Sequence, residues 1–387
     1  MTTLPSYVPS WLRNAHNNEH INSVLHNLAE RERTRIRARA DSQNRSNRSL
    51  VNRITRVPST LSSRPSFTNH YSVAIASLPE NLPFNRYSDI EPYDRTRVIV
   101  GDRYFNGSWV RECAGGNWAI ATQAPLPTTV HEFLSIIAEP SVKPPDGRYP
   151  RPTRVRTVVQ LTPSFESGIQ KAHAYLPPKP GESWIIHPGF DYDDLPTIKI
   201  ILVKSEAVDY AQCVVSTVSV EFVAHGVTRN LATFKHLMYT SWPDHGVPAP
   251  RDRAKLLEFI KLVDRTNKDI SCYAGEQDLH PDPPVMVHCS AGVGRTGSFI
   301  ALSSLLRSHG LLSTQPGGLA APVPGTSSVP LLPNSPLGPL PQSLAWDQVA
   351  QEIDQLREQR PGMIQRHEQA LLIYDVLILA FVSQGQA

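Results

Sequence analysis

Short apolar runs alternate along the chain with longer stretches whose apolar positions recur every three or four residues, the pattern of strands interleaved with helices. β-rich runs stand at Ala119 to Thr122, Arg156 to Leu161, Ile198 to Val203, Val214 to Val223, Ala232 to Thr240 and Val285 to Cys289. Helical spacing occurs near Val130 to Ile137, Arg253 to Asn267, Ser298 to Ser308, Trp346 to Arg357 and Gln365 to Val382. This order predicts an α/β fold with one mixed, twisted sheet whose faces are covered by helices. In the last helix Leu371, Leu372, Tyr374 and Leu377 are expected in the core. The longest apolar run, Leu371 to Val382, contains Asp375 and is too short to cross a bilayer, so no membrane span is expected.

Two stretches break the pattern. Near the N-terminus Arg31, Arg33, Arg35, Arg37 and Arg39 alternate, and Arg45, Arg48, Arg53, Arg56 and Arg64 continue the run with Ser and Asn between them. Leu12 to Arg39 predicts a helix with Leu25 and Leu28 on one side; after Ala40 the composition predicts disorder. Basic tails bind nucleic acid, acidic membranes or import receptors. Without interleaved aromatics or a zinc finger, nucleic acid is not expected, and a solvated arm is the plainer reading. The second stretch, about 313–342, carries Pro322, Pro324, Pro330, Pro333, Pro336 and Pro339 among glycines, and predicts an extruded, flexible or polyproline-like insertion. Pro333 and Pro336, or Pro336 and Pro339, have the spacing of ligands for SH3-type modules. Ser335-Pro336 suits a proline-directed kinase, although a bare spacer is simpler. The organisation expected is a basic extension over 1–70 and one folded domain over 71–387 that contains the insertion.

A chain of 387 residues is long enough for a single α/β domain of about 250 to 300 residues with appendages. The net charge of +3 is mild. Cys113, Cys213, Cys272 and Cys289 are scattered and lack zinc-ligand spacing, so neither metal nor cofactor is expected. Unpaired cysteines point to a reducing compartment, and Met1 to Asn14 lacks the apolar core of a secretory signal; a cytoplasmic or nuclear protein is expected.

Candidate chemistry is concentrated in His288-Cys289-Ser290-Ala291-Gly292-Val293-Gly294-Arg295-Thr296-Gly297, directly after the apolar Val285-Met286-Val287. A buried strand would deliver Cys289 to its end, and the small residues would let the N–H groups of Ser290, Ala291, Gly292, Val293 and Gly294 turn inward. A helix beginning near Gly297 would add its positive end. Such a nest fits a phosphate-sized dianion and favours a thiolate at Cys289. Arg295 would clamp two phosphoryl oxygens as a planar fork. A lone cysteine at a strand end would be structural; here each neighbour fills a separate role. A nucleotide-binding phosphate loop is disfavoured, because that loop wants a lysine where this one has Arg295. Upstream, Trp242-Pro243-Asp244-His245-Gly246-Val247-Pro248 sets an acid in a turn of the kind that swings, suited to protonating a leaving group while excluding water.

These residues resemble the cysteine-based protein tyrosine phosphatase family, whose signature is His-Cys, five residues, then Arg and Ser or Thr. The likeness runs from about Asn81 to about Val382, interrupted by the insertion, and its motifs occur in the family's order. It implies a single tyrosine-phosphatase-like domain. Cys289 is then the nucleophile, Arg295 the phosphate clamp and Asp244 the general acid and later base, while Thr296 stabilises the departing thiolate. His288 is expected to donate to backbone and set the electrostatics of the loop. Tyr87 and Asp89, in Asn85-Arg86-Tyr87-Ser88-Asp89-Ile90, resemble the aromatic wall of the cleft and the residue that fixes the register of the substrate peptide. Thr122-Gln123-Ala124-Pro125 resembles a Thr-Gln-Gly-Pro segment. Glu166 matches the acid that orients the signature arginine, and Lys171 the lysine that contacts the acid loop. Gln365 resembles the water-positioning glutamine, and Gln369 its second glutamine. His245 stands where the family has an aromatic residue. Phe84 and Ser88 depart from basic positions, which predicts a weaker preference for acidic residues flanking phosphotyrosine. The resemblance implies hydrolysis of phosphotyrosine in proteins by way of a phosphocysteine, without metal. A dual-specificity phosphatase, an inactive phosphotyrosine-binding module and an interaction scaffold are the competing classes.

Overall fold

The structure is a computed structural model that describes residues 4–55, 65–138, 154–189, 192, 194–224, 227–243, 246–271, 280–312 and 334–385. Its centre is an eight-stranded sheet in the order β1-β2-β10-β3-β9-β8-β7-β6. The strands are β1 (Gly107–Arg111), β2 (Trp118–Thr122), β3 (Thr157–Gln160), β6 (Ser183–Ile186), β7 (Thr197–Val208), β8 (Cys213–Ala224), β9 (Val227–Tyr239) and β10 (Val285–His288). The four central strands β2, β10, β3 and β9 run parallel, and antiparallel partners flank them on both sides. Val158, Val159, Met286 and Val287 are fully buried, as strands covered on both faces require. β10 pairs with both β2 and β3, which do not pair with each other. β4 (Phe165–Glu166) and β5 (Ile169–Gln170) form a separate hairpin, turned by Ser167 and Gly168 at φ 48° and 76°. Two consecutive left-handed residues give the tight turn that matches strand twist.

On one face of the sheet Val130–Ala138 (α4) contributes Phe133, Leu134 and Ile137 to a core with Ile120, Val158, Phe234 and Met286. The other face is covered by α5 (Arg253–Lys268), α6 (Gly294–Ser308), α7 (Gln348–Gln359) and α8 (His367–Gly385). All six β-rich runs and all five helical patterns correspond to elements. β1 and β6 were not foreseen, nor was the β4–β5 hairpin, whose strands are two residues each. Leu372, Tyr374 and Leu377 are buried, whereas Leu371 is only half-buried. The helix α8 has 19 residues, long and apolar enough to cross a membrane, and so exceeds the run from which no span was expected. Here its Leu372, Ile373, Val376, Leu377 and Phe381 belong to the core.

The N-terminal extension departs from the expected solvated arm. Helix α1 (Ser10–Ala15) and helix α2 (Asn18–Thr55) precede α3 (Pro65–His70). α2 continues well past Ala40, where disorder was expected; no Pro or Gly interrupts residues 18–55. Val8, Leu12, Ala15, Val24 and Leu28 enter the same core as α5 to α8. Arg31 forks Asp354 at 2.9 and 2.8 Å, and Arg35, fully buried, reaches Asp354 at 2.6 Å and Glu358 at 2.7 Å. Burial opposes the charge of Arg35, but Asp354, Glu358 and Glu32 outweigh it and raise its pKa. Of the insertion, Pro322, Pro324, Pro330 and Pro333 lie outside the described residues. Its far end is docked rather than extruded: Arg31 donates to the carbonyls of Leu337, Gly338 and Pro339, and Leu340 is buried. Ser335 is half-buried, with its hydroxyl 3.4 Å from that of Tyr71.

Candidate active site

β10 ends at the sheet's centre and hands the chain to α6 through the loop 289–293. Every carbonyl of that loop is turned outward and taken. Cys289 O accepts from His288 Nδ1 (3.0 Å) and Ser290 O from the Ala124 N–H (2.9 Å). Ala291 O and Gly292 O accept from Arg360 (3.0 and 2.8 Å), and Val293 O from the N–H groups of Gly297 and Ile364 (2.9 and 3.1 Å). With the carbonyls held on the outside, the amides are left to the inside, where an anion would sit. Gly292 makes the turn possible. Its φ is +72°, and a Cβ there would stand 1.8 Å from the Thr122 carbonyl oxygen. Gly297 serves close approach too: a Cβ would lie 2.8 Å from Ile364 N. The helix begins at Gly294 rather than near Gly297, so Arg295 and Thr296 sit in its first turn.

Cys289 is buried. Burial, the largest influence on its thiol, opposes ionisation, yet the hydroxyl and N–H of Thr296, the charge of Arg295 and the N–H of Gly292 together hold its pKa below the ordinary value. The Thr296 hydroxyl is buried with no hydrogen-bond partner of good geometry among the described residues, and its effect is felt at Cys289, whose pKa it lowers. Arg295 is aimed by Glu166. One amino group pairs with Glu166 Oε1 and donates to Leu161 O (3.1 Å); the other reaches Glu166 Oε2 (2.9 Å) and Pro243 O (3.0 Å). Thr162 donates to Glu166 Oε1 at 2.8 Å, and the β4–β5 turn fixes the carboxylate in place.

His288 is fully buried below the loop. Its Nδ1 faces a carbonyl and must donate, so Nε2 accepts from the Tyr175 hydroxyl at 2.7 Å. The same hydroxyl lies 2.9 Å from His236 Nε2 and 3.1 Å from Gln160 Oε1. Burial pushes His288 down to about 4, partly countered by its bond to Cys289 O, and pushes His236 down to about 3, with His288 adding to the shift. Both rings are therefore neutral at pH 7.

At the mouth, Ser290 donates its hydroxyl to Lys171 O (2.6 Å), so the Tyr87 hydroxyl, 2.8 Å away, donates to Ser290 Oγ. Asp89 is exposed, and its carbonyl accepts from Arg39 of α2 at 3.4 Å. The Tyr87 segment is braced by Gln123, which accepts from the Arg86 N–H and donates to Phe84 O, both at 2.8 Å. Arg86 in turn holds Ala124 O and Pro125 O. Gln365 and Gln369 converge on Gly294: a Cβ there would stand 3.3 Å from Gln365 Oε1 and 2.8 Å from Gln369 Nε2. Gln369 also accepts from the Arg366 N–H at 3.2 Å, capping α8. Asp244 and His245 lie outside the described residues; the flanking Trp242 is buried, with Nε1 3.4 Å from Gly246 O.

The structure thus brings Cys289, Arg295, Thr296, Glu166, His288, Ser290, Tyr87, Gln365 and Gln369 together. Sequence reasoning missed Arg360. It is fully buried, and beyond the two loop carbonyls it donates to Asn106 Oδ1 (2.9 Å) and Ser108 Oγ (3.1 Å). Burial lowers its pKa to about 10, opposed by Tyr104 and Cys289. Nothing in its local sequence marks it, because its partners lie on β1, ahead of β1 and in the signature loop. Among the described residues no group of His, Cys, Asp and Glu has the arrangement to hold a metal ion.

A family model described as "Protein-tyrosine phosphatase" matches residues 81–311. The chain is 34% identical over 248 residues to the human protein named "Phosphatidylinositol phosphatase PTPRQ", covering 62% of this chain and 9% of that protein. It is 27% identical over 309 residues to mouse "Tyrosine-protein phosphatase non-receptor type 20", covering 77% of this chain and 54% of that one. The chain thus spans about a tenth and about half of these two relatives. Among solved structures, the catalytic domain of human protein tyrosine phosphatase non-receptor type 18 superposes with a TM-score of 0.54 at 26% identity, covering 80% of this chain and 88% of that one.

Proposed function

This chain belongs to the protein-tyrosine phosphatase family, and we propose that it hydrolyses phosphotyrosine in proteins in two steps through Cys289. The observation that carries the proposal is the ionisation-prone Cys289 thiol at the floor of a loop whose carbonyls are all engaged outward, with Arg295 forked by Glu166 beside it. In the first step the thiolate attacks phosphorus in line, Arg295 and the loop amides hold the equatorial oxygens, and Asp244 protonates the departing tyrosyl oxygen. In the second, water oriented by Gln365 attacks the phosphocysteine. Asp244 takes its proton, and the P–S electron pair returns to a thiolate stabilised by Thr296. Tyr87, Asp89 and Lys171 act on the substrate side. Tyr87, its hydroxyl fixed on Ser290, supports a deep aryl phosphate over a shorter alkyl one. Its phosphotyrosine-bearing partners would be met in the cytoplasm or nucleus.

The deciding experiment measures phosphate release from phosphotyrosine peptides, phosphothreonine peptides and phosphoinositides by the unmodified chain. The phosphoinositides answer the name carried by one relative. Phosphotyrosine peptide should be preferred; Cys289→Ser should abolish turnover and Asp244→Ala slow it by about a hundredfold or more. Undiminished turnover by the Cys289→Ser protein would sink the mechanism.

A further inference from the structure

One arginine ties the N-terminal helix to the segment that carries Gln365. Asp354, Arg357 and Glu358 share a face of α7 at helical spacing, and that face meets α2. Two of the three receive Arg31 and Arg35. The third, Arg357, sends its guanidinium to three backbone carbonyls: Leu28 O in the first third of α2 (3.0 Å), Met363 O (2.9 Å) and Ile364 O (2.8 Å). Met363 and Ile364 immediately precede Gln365. Ile364 has φ +56°, a left-handed conformation that a β-branched residue does not adopt unaided. It is held from one side by its N–H on Val293 O (3.1 Å) and from the other by Arg357 on its carbonyl. The direction in which the chain leaves Ile364 sets where the Gln365 amide points.

We propose that Arg357 is a positioning residue through which the docking of α2 sets the aim of Gln365, and with it the rate of phosphocysteine hydrolysis. The proposal rests on the phosphatase reading of the site. Gln365 is not needed while sulfur displaces the tyrosyl oxygen. It matters when a water oxygen attacks phosphorus, the P–S bond breaks with its electron pair returning to Cys289, and the water proton passes to Asp244. Loosening α2 or Arg357 therefore slows the second step and spares the first. The kinetic signature is a split: kcat falls while kcat/KM, which reports events up to formation of the phosphocysteine, stays in place.

The test uses the full chain and p-nitrophenyl phosphate, with pre-steady-state and steady-state rates measured together. Arg31→Ala/Arg35→Ala removes the charged bridges that hold α2 against α7 without substituting Arg357, and Arg357→Lys keeps the charge but loses the fork. Arg33→Ala removes an exposed arginine of the same helix and serves as control. Both test variants should lose between about tenfold and about a hundredfold in kcat, the scale of a slightly misplaced reacting group. Their kcat/KM should stay within about twofold of the unmodified chain, and a burst of nitrophenol should appear or grow. An added small alcohol should capture a larger share of the phosphoryl group than in the unmodified chain. Should the double variant lose its fold, Arg357→Lys tests the same claim. A parallel fall of kcat and kcat/KM in Arg357→Lys, or an unchanged kcat, would overturn the proposal. Absence of Cys289-dependent turnover by the unmodified chain would overturn the phosphatase reading, and the coupling with it.

Discussion

Replacing Arg360 by lysine keeps a buried positive charge and removes the fork. The native guanidinium makes four hydrogen bonds of 2.8 to 3.1 Å, to Gly292 O, Ala291 O, Asn106 Oδ1 and Ser108 Oγ, and none of these partners is charged. An ammonium places its donors on one atom and cannot span the set, so about two acceptors lose their partner. At about 1–3 kcal/mol for each buried acceptor left unpaired, Arg360→Lys should cost about 2–6 kcal/mol of stability, read by urea unfolding. The effect on anion binding is more specific. The loop amides face inward because the carbonyls behind them are occupied; a freed Ala291 or Gly292 carbonyl lets its peptide plane rotate and withdraws an amide from the site. Inhibition by orthovanadate should weaken by about tenfold to a hundredfold, which is about 1.4–2.8 kcal/mol. The assay is competition against an aryl phosphate under conditions where the variant remains folded. Vanadate affinity within about twofold of the unmodified chain, despite the loss of stability, would refute the reasoning, because the shape of the loop would then not depend on Arg360.

Two further outcomes are expected. Gly292→Ala should cost at least about 2 kcal/mol, from a left-handed residue and from a Cβ 1.8 Å from Thr122 O, and should leave no measurable phosphotyrosine turnover; native-like turnover would contradict the close crossing. Acid should destabilise the fold through the two buried imidazoles. The unfolded chain protonates them as the pH falls past about 6.5, but the folded chain resists until about 4 for His288 and about 3 for His236. Between those limits the unfolded state binds more protons, so stability is full above about 6.5 and is lost as the pH falls, by up to about 3 kcal/mol for His288 alone. His236→Asn should flatten that limb of the stability curve, and superimposable curves for the two proteins would count against this origin.

The sheet strands were legible because the parallel centre is apolar on both faces, and the signature loop because its roles are packed into ten consecutive residues. What escaped was organised by distance. The alternating arginines read as a solvated arm until the helical period sorts them: Arg31, Arg35 and Arg39 fall at i, i+4 and i+8 and face the body of the protein, while Arg33 and Arg37 face outward. The carboxylates that take Arg31 and Arg35 lie 323 residues downstream, beyond the reach of any local pattern. Arg360 was obscure for the same reason. Glu166 was recognised by resemblance alone; the hairpin that carries it, with strands of two residues each, leaves no periodicity to read.

The position of β10 bears on how the protein is made. β2 and β3 are synthesised early, yet they can join only through a strand that leaves the ribosome more than a hundred residues later. Without Val285–His288 the two halves of the sheet share no strand pairing, and such a long-range closure is of the kind that folds slowly. The keystone strand also leads directly into Cys289, the proposed nucleophile. Before that closure Cys289 lacks the settled surroundings, Thr296, Arg295 and the Gly292 N–H, that hold its pKa below the ordinary value, so the ionisation proposed for it belongs to the completed sheet.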